Sequence, residues 1–142
     1  MKTKLLIAAL FGGALIAQNA PLPNGIYAVE KSDAKGGNLV VRQYKGQDVV
    51  LNTANFAPLV VEGQPEVRRE RRGSSLMVQL GPEAAKRLEE LSRYHINEPI
   101  AIVVGDKIVS APVLRSVIKD GKAQVTPCDD ASCESFLRQL GK

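Results

Sequence analysis

The sequence contains no Trp, a single His and two Cys, and aromatic residues fill only 4% of its 142 positions. That scarcity argues against a multi-ligand zinc site and against an elaborate cofactor box, so no metal and no cofactor is expected. The carboxylates are scattered, and no pair of them can be nominated for acid/base chemistry. Ser74, Ser75 and Ser110 lack the glycine-flanked setting of a nucleophile elbow. Long apolar runs are also missing. The uncharged stretch over residues 5–17 falls short of the ~20 residues that a spanning helix needs, and no later stretch reads as a membrane span.

What is present is 44% hydrophobic and 24% charged residues, the mix of a globular chain with one core. The net charge of +4 invites a nucleic-acid reading, but part of it sits in the first residues. Lys2 and Lys4 open the chain, the run over 5–17 is rich in Leu, Ile and Ala, and small residues close it at Ala17-Gln18-Asn19-Ala20. This is the layout of a secretory signal peptide. Cleavage after Ala17 is favoured, because cleavage after Ala20 would leave Pro21 at the new N-terminus. Removing residues 1–17 lowers the net charge from +4 to +2. A near-neutral exported chain whose arginines are not interleaved with aromatics argues against nucleic acid. The expected location is the periplasm.

Residues 18–65 read as a β-rich N-terminal segment, and residues 66–142 as a domain of sharper pattern. In the first, Ile26-Tyr27-Ala28-Val29, Leu39-Val40-Val41-Arg42 and Val49-Val50-Leu51 are short strands parted by turn signals at residues 35–38 and 45–48. Residues 52–65 read as a connection. In the second, residues 66–71 and 76–80 flank a turn at Arg72-Gly73-Ser74-Ser75. Gly81-Pro82-Glu83 then opens a helix with Ala84, Ala85, Leu88 and Leu91 as its buried stripe. Glu83–Arg87, Lys86–Glu90 and Glu89–Arg93 are its i,i+4 pairs. Residues 100–104 are apolar on both faces and predict a central strand. Gly105-Asp106 predicts a type II′ turn into a return strand, which Pro112 marks as an edge or a bulge. A strand over residues 113–118, a turn at 119–122 and a strand over 123–126 complete a meander. A last helix carries Cys133, Phe136, Leu137 and Leu140 on one face. The fold class is α+β, with a β-β-α-β-β-β-α order and two helices packed on an antiparallel sheet.

Three blocks carry a resemblance. They are Gln79-Leu80-Gly81-Pro82-Glu83-Ala84-Ala85-Lys86, the run from Ala101 to Val113 ending in Ser110-Ala111-Pro112-Val113, and Gly121-Lys122-Ala123-Gln124-Val125-Thr126. Asp129-Asp130-Ala131 follows at the start of the last helix. In order and spacing, residues 76–140 resemble the head subdomain of the first periplasmic region of SecD, an accessory subunit of the bacterial protein-export translocon. The family's Asp-Gly turn stands here as Gly105-Asp106, Gly81 replaces its Thr cap, and both cysteines fall outside its pattern. The resemblance implies a stand-alone exported protein with that head's fold, which handles unfolded, translocating polypeptide.

Two clusters could make the contact. Arg68, Arg69, Arg71 and Arg72 form the one dense charge run, suited to an acidic partner, to anionic lipid headgroups or to guarding a sheet edge. Ser110, Pro112 and Val113 mark the point where a ladder must break, so an extended polypeptide could add a strand there. Export makes a Cys128–Cys133 disulfide the default, with a stabilisation of roughly 2 kcal/mol. Five residues apart within one helix they could not bridge, so the bond requires the helix to start at residue 129 or 130. His95 suits the negative end of the first helix. The expectation is a non-enzymatic binding module for polypeptide or another envelope protein. One alternative is an envelope structural or inhibitory subunit with one folded partner. A hydrolase using Ser110 or His95 is the least favoured reading, and it requires one pocket to bring those two side chains together.

Overall fold

The structure, a computed structural model, describes residues 20–71, 73–128, 134 and 137–140. Among the described residues, eight strands and a helix follow in the order β1 (Gly25–Glu30), β2 (Leu39–Tyr44), β3 (Gln47–Pro58), β4 (Val61–Glu70), β5 (Gly73–Leu80), α1 (Pro82–Tyr94), β6 (Ile100–Val104), β7 (Lys107–Ser110) and β8 (Lys122–Cys128). Residues 134 and 137–140 are helical and close the described chain. The fold class is α+β with antiparallel pairing throughout the strand ladders.

The strands form two sheets. One has the order β2-β3-β1-β6-β7, the other β4-β5-β8. The expected boundary between residues 65 and 66 therefore falls inside β4, and β1 pairs directly with β6 across it. The expected single meander is corrected as well: β8 leaves β7 and pairs with β5 in the other sheet. Periodicity reports which face of a strand is apolar, and it carries no record of which distant strand lies alongside.

β6 is the clearest case of sequence dictating position. Ile100, Ile102 and Val104 face one apolar cluster, together with Leu76, Val78 and Leu80 of β5 and Ala84, Leu88 and Leu91 of α1. Ala101 and Val103 face a second cluster with Leu22, Tyr27, Leu51 and Ile108. All five β6 residues are buried, as an apolar run flanked by strands on both sides requires. Each fully buried Leu or Ile in these clusters contributes roughly 2 kcal/mol relative to exposure. Of the last helix's expected stripe, Leu140 is buried and Leu137 packs beside it, while Cys133 and Phe136 lie outside the described residues.

α1 starts as its sequence requires. Gly81 is the N-cap, Pro82 stands in the first turn where its missing N–H costs nothing, and Glu83 sits at the positive end. Ser92 joins the buried stripe because its hydroxyl donates to the Glu89 carbonyl and accepts from the Ile118 N–H, both at 2.9 Å. That bond holds residues 114–121 as a loop against the helix, where a strand over 113–118 was expected; only Val113 makes a bridge, to Pro99. Of the three expected i,i+4 pairs, Glu89–Arg93 is formed among the described residues, at 2.7 Å.

Two further expectations are corrected. The connection at 52–65 is mostly strand: β3 runs to Pro58 with a bulge that lets residues 53–55 swing out between the Tyr27–Phe56 and Ala28–Asn52 pairs. Residues 31–38 link β1 to β2, which pair with β3 and not with each other. The Gly105-Asp106 turn has φ of 62° and 64°, positive at both central residues, which makes it type I′ rather than II′.

The five-stranded sheet curls until its outer strands β2 and β7 come near one another. Asp106 holds this closure. Its Oδ1 accepts from Arg42 Nη2 on β2 at 2.9 Å and from the Leu22 N–H at 2.8 Å. Asn24 adds a bond from the Gly105 N–H to its side chain, and the Tyr27 hydroxyl donates to the Pro23 carbonyl. Residues 20–24 are thus strapped across the end of the curled sheet, with Leu22 buried beneath them.

Candidate functional site

The β4–β5 hairpin joins a largely buried strand to a largely exposed one. β5 is the middle strand of its sheet and is anchored by Leu76, Val78 and Leu80, all nearly fully buried. β4 pairs with β5 on one side, and among the described residues its other edge carries no strand. Glu62, Gly63, Gln64, Glu66, Val67, Arg68 and Arg69 are all exposed, so β4 is open on both faces over Glu66–Arg69, while Val61 at its start packs against the core. A register shift between Glu62 and Glu66 accommodates Pro65, which cannot donate to a ladder, and Gly63, whose φ is 73°. Beyond that bulge the ladder runs regularly, from Glu66–Met77 to Glu70–Gly73. The turn therefore falls between Glu70 and Gly73 and includes Arg71. It is tighter than the sequence suggested, since Gly73, Ser74 and Ser75 belong to the strand. Arg72 itself lies outside the described residues.

Pairing across the hairpin sorts the arginines by face, because directly opposed residues share one side of a sheet. Val67 is opposite Leu76 and Arg69 opposite Ser74, while Glu66 is opposite Met77 and Arg68 opposite Ser75. Arg68 Nε donates to Glu66 Oε1 at 3.0 Å and is neutralised on its own strand. Arg69 and Arg71 are exposed and make no ion pair with a described residue.

The second expected patch is arranged differently. Ser110 is 5% exposed and engaged within the fold, so it cannot meet a partner. The Pro112 carbonyl accepts from the Ile100 N–H at 3.0 Å, and Val113 bridges Pro99. Residues 110–113 are thus backed by the β6 side, and the far edge of β7 faces β2 and β8. The edge-or-bulge reading of Pro112 is nonetheless met: β7 ends the strand order, and its ladder shifts register between Ile102 and Val103. The arginine hairpin and the 110–113 segment lie in different sheets, and the fold does not bring them together.

Cys128 is the last residue of β8, paired in register with Ser74. Strand backbone at this point removes the geometric objection to a bond with Cys133, which lies outside the described residues.

His95 caps α1 and is held by two partners that the sequence did not reveal. Its Nδ1 lies 2.8 Å from Glu98 Oε1, and its Nε2 lies 3.2 Å from Asn55 Nδ2, which the β3 bulge carries over. Asn55 is 40 positions away, so no local spacing could have exposed it. A groove of about 540 Å³ opens beside His95, lined by Glu30, Lys31, Asp33 and Glu98. Another of about 370 Å³ lies between the bulge and α1, with Phe56, Arg87, Glu90 and Tyr94 on its walls. Ser110 lines neither of these two grooves. No group of three or more His, Cys, Asp or Glu side chains among the described residues is placed to hold a metal ion.

Two groups have displaced ionisation. Burial pushes the Tyr27 phenol up to about 12, with the nearby Asp106 charge acting in the same sense. At Asp106 burial works to raise the carboxyl, but the Leu22 amide and the Arg42 guanidinium outweigh it and hold the group below its ordinary value. Both belong to the strap over residues 20–24, and their role there is structural.

No helix among the described residues is long and apolar enough to cross a membrane. A model of the family described as SecDF, P1 head subdomain matches residues 29–134, which reaches well beyond the 76–140 span that carried the resemblance. Relatives include the protein translocase subunit SecD of Syntrophobacter fumaroxidans, 28% identical over 109 residues, and that of Calditerrivibrio nitroreducens, 28% identical over 110. These alignments cover 75% and 76% of this chain, which spans only 20% of either relative's length. The fold is similar to that of a membrane component, SecDF, described as enhancing protein export. That likeness has a TM-score of 0.53 at 18% identity and covers 84% of this chain and 63% of the other. A SecDF crystal structure in a super-membrane-facing form gives a TM-score of 0.50 at 13% identity, over 97% of this chain and 33% of that one. With the family model matching residues 29–134, the chain belongs to the SecDF P1 head subdomain family.

Proposed function

We propose that this protein is an exported, periplasmic, non-enzymatic binding module that contacts extended polypeptide in the course of protein export. The observation that carries the reading is β4: a long strand whose outer edge carries no strand among the described residues, exposed on both faces over Glu66–Arg69 and held out by a well-anchored neighbour. Such an edge offers unpaired N–H and C=O groups in the spacing an extended chain can match. Family membership supports the link to export, and the leader-like first 17 residues support the location. The 110–113 segment is the poorer candidate, since its backbone is already paired.

A photo-crosslinking residue placed at Arg69 or at Val113, in cells, tests this. Position 69 is expected to capture a heterogeneous set of extended or envelope polypeptides, and position 113 little. Absence of capture at 69 contradicts the reading. One observation favours a second reading, a dedicated folded partner: Tyr94 is 78% exposed beside the preformed groove at α1. A single stoichiometric product from a crosslinker at Tyr94 would support that alternative.

A further inference from the structure

We propose that the β4 edge selects acidic extended segments, reading an apolar residue against Val67 and a carboxylate two positions on against Arg69. This deepens the reading of β4 as a polypeptide-binding edge and rests on it. The two faces of the strand differ in what they leave unsatisfied. On one, Glu66 and Arg68 neutralise each other at 3.0 Å. On the other, Val67 is 37% exposed and Arg69 carries a guanidinium with no ion pair to a described residue. Arg71, exposed in the turn, adds a second cation beside the same end. A strand added to the edge places its side chains in register with those of β4, alternating between faces. The face with unsatisfied chemistry therefore asks for an apolar residue, then a spacer, then an acid. Like charge opposite Arg69 is penalised, so a lysine in place of the acid is rejected. Arginine's planar fork suits a carboxylate better than a point charge does, which gives the position geometric as well as electrostatic preference.

The full chain is titrated against a fluorescent peptide with a Val-x-Glu repeat, its Val-x-Lys counterpart, and the acidic peptide N-methylated on alternate amides. The acidic peptide is expected to bind about tenfold more tightly than the lysine peptide at low ionic strength, with the gap narrowing as salt rises. N-methylation is expected to abolish binding. Arg69→Glu is expected to remove or invert the preference, while Arg69→Lys retains most of it; thermal unfolding of both variants checks that the exposed site has not altered the fold. Equal binding of acidic and lysine peptides, with N-methylation still blocking, overturns the acidic preference and leaves the edge reading standing. Binding of neither peptide overturns both. Arg69-dependent binding to vesicles containing anionic phospholipid, without peptide binding, overturns the proposal in favour of a membrane surface.

Discussion

Asp106 occupies a left-handed backbone position, φ 64°, that glycine fills with less strain, at a cost of about 1 kcal/mol. The resembling family places its glycine second in this turn, whereas here the order is Gly105-Asp106. The structure supplies the reason. The Asp106 carboxylate at the second position reaches both the Leu22 N–H and Arg42, so local strain is offset by closure of the sheet. Asp106→Asn keeps an acceptor and tolerates the backbone, and is expected to lower stability by about 1 kcal/mol; Asp106→Ala loses both and is expected to cost about 2, with half-exposure of the carboxylate limiting each figure. Urea midpoints would rank the three. Because the folded carboxyl lies below its ordinary value of 3.8, its contribution is present above that pH and is lost as pH falls beneath it. Tyr27 works in the opposite sense. Its folded phenol is raised from 10.0 to about 12, so its contribution is complete below pH 10 and is lost between pH 10 and 12. Tyr27→Phe removes the bond to the Pro23 carbonyl, expected to cost about 1 kcal/mol at neutral pH, and should flatten that alkaline decline in a denaturation series.

At the scale of elements, α1 and β8 are joined through Gly121. Its φ is 69°, and a Cβ there would stand 2.6 Å from the Cβ of Ala85 on the helix. Gly46, in the β2–β3 turn, has a φ of 79° and open space around it. Comparing the two separates backbone strain from collision. Gly46→Ala is expected to cost about 1 kcal/mol, from strain alone. Gly121→Ala is expected to cost about 2–4 kcal/mol, because the helix must also shift. The same comparison shows what the sequence could and could not announce. α1 was legible from Gly81-Pro82-Glu83 and the Ala84–Leu88–Leu91 spacing, and β6 from five consecutive apolar residues. The strand expected at 113–118 failed because Ser92, a residue with no apolar signal, bonds Ile118 and keeps that stretch a loop. Asn52 and Asn55 look like turn residues in the sequence, which hides the second half of β3. In the structure they serve the bulge instead, Asn52 accepting from the Ala54 N–H and Asn55 meeting His95.

For the molecule as a whole, long-range pairing decides where a ligand could be received. β1–β6 and β5–β8 join residues far apart in sequence, and these ladders divide the strands between a curled sheet and a smaller open one. The curled sheet brings its outer strands toward each other and is strapped by residues 20–24, which leaves β7 poorly placed to accept a strand. Among the described residues, the open sheet leaves the outer edge of β4 without a strand. Both patches could be named from composition, since arginines cluster at 68–72 and Pro112 interrupts a ladder. Their ranking could not, because it depends on which sheet each strand joins and on what lies across its edge. Hydrogen exchange of the full chain, with and without a saturating extended acidic polypeptide, tests the resulting account most directly. It predicts slowed amide exchange concentrated in β4 between Val61 and Glu70, with β7 and the groove beside His95 unchanged. Protection confined to β7 or to that groove, or no protection anywhere, would contradict it.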